Sequence, residues 1–159
     1  MLRISKLTDY ATVILTHIAH KPLEVHAATD ITKVTKISLP TVSKVLKLLV
    51  KAKLLESKRG AKGGYVLLGN IKEINVAQII VAIEGPISMT ECATDLGQCE
   101  QEESCEIKGN WGLINRAVYA ALEEVRLADL LGSAETHSIK VRLPTRVAKK
   151  TSESNNVES

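Results

Sequence analysis

ISLPTVSKVLKLLVKAKLLESKRGAKGGY, residues 37–65, is the stretch from which the fold can be read. Ser38 offers a hydroxyl that can cap a helix, and Pro40 falls in the first turn, where a missing amide hydrogen is tolerated. Val42, Val45, Leu46, Leu49 and Val50 then recur at helical spacing and predict a buried stripe. The opposite face carries Thr41, Ser43, Lys44, Lys47 and Lys51, polar and cationic groups that can reach base edges and phosphates from a helix in a major groove. Beyond this helix, 54–58 and 65–68 read as two strands joined by Arg59-Gly60-Ala61-Lys62-Gly63-Gly64, whose glycines suit a hairpin. A tip bearing Lys58, Arg59 and Lys62, with Gly63 letting the backbone approach a phosphate, has the character of a DNA-binding wing.

Working upstream, Ala11, Val13, Ile14, Leu15, Ile18 and Ala19 predict a first helix over 8–20, closed by Lys21-Pro22. A short second helix over 27–34 follows, and Thr35-Lys36-Ile37 turns the chain into Ser38. Short helix, tight turn, second helix and hairpin make a winged helix-turn-helix head over residues 1–75, in a fold that is mainly α with a small β-hairpin. Charge agrees: residues 1–75 carry thirteen Lys/Arg against five Asp/Glu, whereas residues 76–108 carry one against seven. A polyanion such as double-stranded DNA is the partner this head calls for. A nucleotide-binding loop would need the GxxxxGK[ST] pattern in a strand-to-helix setting, and residues 59–64 lack both.

The 159 residues, 45% hydrophobic and 25% charged with a net charge of +3, suit one globular domain with appendages. No signal-peptide pattern and no membrane-length apolar run occurs, which leads us to expect a cytoplasmic protein with no membrane partner.

Downstream, Asn75 can cap a helix through Val76, Ile79, Ile80, Ala82 and Ile83, ended by Gly85-Pro86. The next stretch, TECATDLGQCEQEESCEIKG at 90–109, holds the only three cysteines, Cys92, Cys99 and Cys105, in an acidic segment with neither helical nor alternating period. An odd number of thiols outside a secretory setting argues against structural disulfides and for metal or redox chemistry. The gaps of six and five residues lack the close pair usual for zinc, which stays possible. Three thiolates from one segment, with a fourth ligand from elsewhere, can hold an iron-sulfur cluster. Plain exposed thiols are the bland alternative. A thiol redox enzyme would show CxxC or a cysteine beside a base, and neither is visible. Residues 76–108 thus form a connector helix and cysteine segment.

Asn110 reads as the cap of a longer helix within 109–132, its stripe formed by Trp111, Ile114, Ala117, Val118, Ala121, Leu122, Val125 and Leu130. One small head cannot cover such a stripe, so pairing with the same helix of a second copy is expected, with Trp111, Ile114, Val118, Ala121, Leu122 and Val125 in the contact. Residues 133–159 are polar and aperiodic and read as a disordered tail.

Taken together, LTDYATVIL at 7–15, the 37–65 stretch, the three cysteines and NWGLINRAVYAALEEV at 110–125 resemble the IscR/NsrR group of winged-helix iron-sulfur regulators. Within that group the resemblance is greatest to regulators of the Suf iron-sulfur assembly operon. It spans about residues 1–131 and implies a homodimeric repressor or dual regulator whose grip on DNA follows the state of a 2Fe-2S or 4Fe-4S cluster. IscR-like members place a histidine three residues after the last cysteine, where this chain has Lys108. NsrR-like members take an aspartate from the partner's first helix, a position that Asp9 matches, so the resemblance implies Asp9 as fourth ligand. Asp9 also suits a helix start electrostatically. Glu91, Glu106, His17, His20 and His26 are further donors, and a nitric-oxide or oxidant sensor would use the same site. Ser43 stands where IscR-like members carry glutamate, so their operator does not transfer.

Overall fold

A computed structural model describes residues 3–60, 62–88 and 108–132, with backbone alone at 108–110. Helix α1 spans Lys6–Ala19, α2 Ala28–Thr35 and α3 Leu39–Lys51; strands β1 (Leu55–Lys58) and β2 (Gly64–Leu67) follow, then α4 (Val76–Glu84), α5 (Lys108–Glu124) and α6 (Leu127–Leu131). This is the expected mainly helical fold with one small hairpin.

The core forms where the apolar faces of α1 and α3 meet. Ala11, Ile14, Leu15 and Ile18 of α1 and Val42, Val45, Leu46 and Leu49 of α3 are fully buried, joined by Ile31, Leu55, Ile79 and Leu127. Burying each of these large side chains contributes about 1.5–3 kcal/mol before conformational entropy is charged against it. The α1 helix packs on α3, α4 and α6, so it is the common wall of the head.

Helix α1 begins earlier than Thr8, the expected start. Ser5 is its N-cap and accepts from the Thr8 amide at 3.2 Å, while Asp9 lies inside the first turn, where its charge opposes the helix dipole favourably. The Thr8 side chain, only 2% exposed, instead donates to Glu84 Oε1 at the far end of α4, and the Ser5 amide donates to the same oxygen at 3.0 Å. Those bonds, the Thr8 hydroxyl first and the Ser5 amide second, hold the Glu84 carboxyl below its ordinary value despite opposing desolvation.

The connector helix α4 starts as Asn75 predicts, with a reciprocal capping box: Gln78 N donates to Asn75 Oδ1 at 2.8 Å and Asn75 N to Gln78 Oε1 at 2.9 Å. The long helix differs from expectation at both ends. It begins at Lys108 rather than at an Asn110 cap, and the stripe anticipated through Leu130 breaks at Val125–Arg126. The break has a tertiary cause. Val76 N donates to Val125 O at 2.9 Å and Leu127 N to Ile74 O at 2.8 Å, so the chain leaves the helix to pair with the residues that precede α4. Arg126 N then donates to Asp129 Oδ2 at 2.8 Å, which starts α6, and Leu127 enters the core.

At the C-terminus of α3, Leu54 N donates to Leu49 O and Lys53 N to Val50 O, both at 3.0 Å, with Lys53 left-handed at φ 58°. This Schellman geometry favours glycine, and a side chain there is strained. Lys53→Gly is therefore expected to stabilise the protein by about 0.5–1 kcal/mol, read as a melting temperature higher by a few degrees. Glu84→Gln is expected to lower the melting temperature at pH 7. Because the folded carboxyl sits below the ordinary glutamate value of 4.5, its contribution is present above that pH and lost as pH falls below it. The gap between wild type and variant should thus be constant from about pH 8 to 5 and close in acid, in melts across pH.

Candidate nucleic-acid interface

Helices α2 and α3 are joined through Lys36, left-handed at φ 60°, whose amide donates to Thr32 O at 3.0 Å. The turn lets α3 cross α2 and present its outer face. Ser38, Pro40, Lys44 and Lys47 are exposed there, with Thr41 and Ser43 half-buried beside them. Lys51 is exposed further along. Ser38 stands at the N-cap, yet its hydroxyl pairs with Thr41 Oγ1 at 2.9 Å and caps no backbone amide. The expected capping role is therefore corrected. The first turn of α3 carries no side-chain cap, which leaves its positive end open to an anion such as a phosphate.

The hairpin pairs Leu55 with Leu67 through Lys58 with Gly64. Its strands are 55–58 and 64–67, each within a residue of expectation. Lys58, Arg59 and Lys62 are exposed at the tip, and Lys58 makes a surface ion pair with Glu56 at 2.7 Å. Gly63 folds back over the turn, its amide donating to Gly60 O at 2.9 Å; a Cβ there would stand 2.5 Å from Lys58 O, so only glycine fits. A feature missed in the sequence holds the base of the wing: His26 and Tyr65 exchange backbone hydrogen bonds of 2.8 and 2.9 Å, adding a third extended segment. Gly64 permits that approach, since a Cβ on it would meet His26 O at 2.5 Å. The recognition helix and the wing tip thus offer Lys44, Lys47, Lys58, Arg59 and Lys62 as cations on a scaffold held at both ends.

Cys92, Cys99 and Cys105, with Glu91 and Glu106, lie outside the described residues. What is described is how their segment is anchored. Glu84, the last residue of α4, holds the start of α1, and Asn115 Nδ2 on α5 donates to Ile87 O at 3.1 Å. Asp9 is exposed on the rim of an open depression of about 640 Å³ between α1, α4 and α6, one residue from the Thr8 that bonds Glu84. Asp9 offers an exposed carboxylate, and the chain's three cysteines offer thiols, the donors most used to hold iron-sulfur clusters. His17 and His26 meet edge to face at 5.6 Å, and burial, then the His26 and His20 charges, push the His17 imidazole below its ordinary value. Among the described residues no three His, Cys, Asp or Glu side chains converge on a metal position.

Along α5 and just beyond, Trp111, Val118, Ala121, Leu122 and Val125 are half-buried, while Leu113 and Ile114 are each 42% exposed. The helix packs against α4, yet much apolar surface stays open. No helix among the described residues is long and apolar enough to cross a membrane.

Residues 4–133 match the family Rrf2, described as iron-dependent transcriptional regulator. The chain belongs to the Rrf2 family. Among relatives, Protein rrf2 of Nitratidesulfovibrio vulgaris is 29% identical over 84% of this chain and 89% of its own length. The HTH-type transcriptional regulator NsrR of Oceanobacillus iheyensis is 32% identical over 84% of this chain and 92% of its own. Among solved structures, CymR of B. subtilis, described as the global cysteine regulator, superposes with a TM-score of 0.64 at 30% identity, covering 82% of this chain and 97% of that one. IscR of T. potens gives a TM-score of 0.61 at 25% identity, covering 82% and 86%. This Rrf2 protein is a DNA-binding transcriptional regulator and not an enzyme.

If the wing meets a backbone, Arg59→Ala is expected to weaken binding to duplex DNA several-fold and to lower the slope of log affinity against log salt by about 1. Fluorescence anisotropy from about 50 to 200 mM salt checks it, and an unchanged slope would remove Arg59 from the contact.

Proposed function

We propose that this Rrf2 protein is a homodimeric, cytoplasmic repressor of iron-sulfur assembly genes that adjusts its hold on palindromic DNA to the state of an iron-sulfur cluster. The observation that carries the reading is the placement of the only three cysteines between α4, which grips the first turn of α1, and α5, which has apolar surface to spare. The family description and the likeness to NsrR and IscR support it. Lys108 replaces the histidine of IscR-like members, so the fourth ligand comes from elsewhere in the chain.

In this reading Cys92, Cys99 and Cys105 hold the cluster and Asp9 completes the ligand set. When bound, the cluster supplies a redox- and supply-sensitive cross-link. The chain's own residues do the rest. Trp111, Ile114, Val118, Ala121, Leu122 and Val125 pair two subunits, which sets two copies of α3 about one DNA turn apart. Ser38, Pro40, Thr41, Ser43, Lys44 and Lys47 enter the major groove, and Lys58, Arg59, Lys62 and Gly63 follow the backbone or minor groove. Glu84 connects the end of the cysteine segment's anchor to α1, so a change in that segment has a direct path to the wall on which the head is built. Coupling of this kind is commonly worth roughly 1–3 kcal/mol, or 5- to 150-fold in affinity.

A second reading follows from the likeness to CymR, described as a global cysteine regulator: a regulator concerned with cysteine and holding no cluster. Protein prepared without air separates the two. The cluster reading expects brown protein with stoichiometric iron and sulfide, loss of colour on replacing any one cysteine by serine, and at least a fivefold difference in operator affinity between loaded and empty forms. Asp9→Ala is expected to make the colour labile. Pale, iron-free protein whose serine variants still control transcription would overturn it.

A further inference from the structure

We propose that Leu39 recognises the 5-methyl group of a thymine in the major groove and is a specificity-determining residue of the recognition helix. The inference rests on the DNA-reading function of α3 and deepens it.

Leu39 is the first residue of α3 and is 42% exposed, while the other large aliphatic residues on its apolar side, Val42, Val45, Leu46 and Leu49, are fully buried. The core of the helix is thus complete without full burial of Leu39. An exposed leucine is common on protein surfaces. What distinguishes this one is position: in a helix-turn-helix the N-terminal residues of the second helix are those that touch base edges. Around it stand the exposed Ser38 and Pro40, and one and two turns on come the exposed Lys44 and Lys47, cations that can reach phosphate from the same helix.

Of the four bases only thymine presents a methyl group in the major groove, and aliphatic carbon is its natural complement. The hydroxyls of Ser38 and Thr41 are bonded to each other at 2.9 Å, with either able to donate. One hydroxyl hydrogen therefore stays free at the same end of the helix. Thymine O4, beside the methyl group, is an acceptor for it, so an aliphatic contact and one donor select the same base edge.

The test uses the full-length protein. Binding duplexes are selected from a random pool, and each thymine of a half-site is replaced in turn by deoxyuridine, which removes only the methyl group. Wild type is expected to lose roughly fourfold in affinity at one position, the ~0.8 kcal/mol of a methyl-sized group converted at 1.4 kcal/mol per decade. Leu39→Ala is expected to bind thymine and deoxyuridine duplexes equally there, Leu39→Met to keep the preference, and both to bind a random duplex as wild type does. Unchanged random-duplex binding also shows that the variants are folded. If every thymine is methyl-indifferent, or Leu39→Ala keeps the preference, the inference falls and sequence reading by α3 stands. If the pool yields no preferred sequence, the reading of α3 falls as well.

Discussion

Everything in the head rests on one helix having a single crowded face. Ala11, Ile14, Leu15, Ile18 and Ala19 of α1 lie one or two turns apart and are almost completely enclosed by α3, α4 and α6. Removing a methylene-rich side chain from such a face leaves a cavity that rigid neighbours cannot fill, at a cost of about 2–5 kcal/mol for Ile or Leu to Ala. The orientation of α3, and with it the direction in which Lys44 and Lys47 point, is inherited from that packing. At the N-terminal end of the same face the apolar contacts give way to a polar one, Thr8 with Glu84, which is satisfied and partly shielded. One wall thus positions the nucleic-acid face at one side and the root of the thiol segment at the other.

Much of this could be read from residues. The α3 helix and the hairpin were visible because their signals are local: a stripe at helical spacing, a proline in the first turn, glycines between two apolar runs. The start of α4 was visible because Asn75 and Gln78 form a reciprocal cap within four residues. What escaped was created at long range. The break at Val125–Arg126 is imposed by backbone bonds to Ile74 and Val76, some fifty residues away, while the apolar period of the local sequence runs on through it. Likewise the His26–Tyr65 pairing is made by backbone atoms, and its only trace is Gly64, which already had a sufficient reason to be glycine in the turn.

The candidate site divides along the same line. The cationic residues of helix and wing could be chosen by amino-acid type and phase, since exposure on the face opposite a core stripe follows from geometry. Ser38 was placed correctly but given the wrong bond, because a hydroxyl at an N-cap can turn to a neighbouring side chain as readily as to an amide. Leu39 drew no notice because an aliphatic residue at helical spacing is read as core; only its exposure in the folded chain suggests otherwise. Asp9 illustrates the reverse: two explanations, helix electrostatics and ligation, favour the same residue, and sequence alone does not separate them.

The return of residues 125–131 to the side of α1 and Ile74 has an architectural meaning. The chain thus returns to the body of the head after α5, and Leu127 completes the core there. Chain inserted between two fixed points of a folded body costs only logarithmically in closure entropy, about 0.6 kcal/mol for each doubling of its length. The connection from α4 to α5 can therefore vary in length at little cost while the packing of α1 against α3, α4 and α6 is kept.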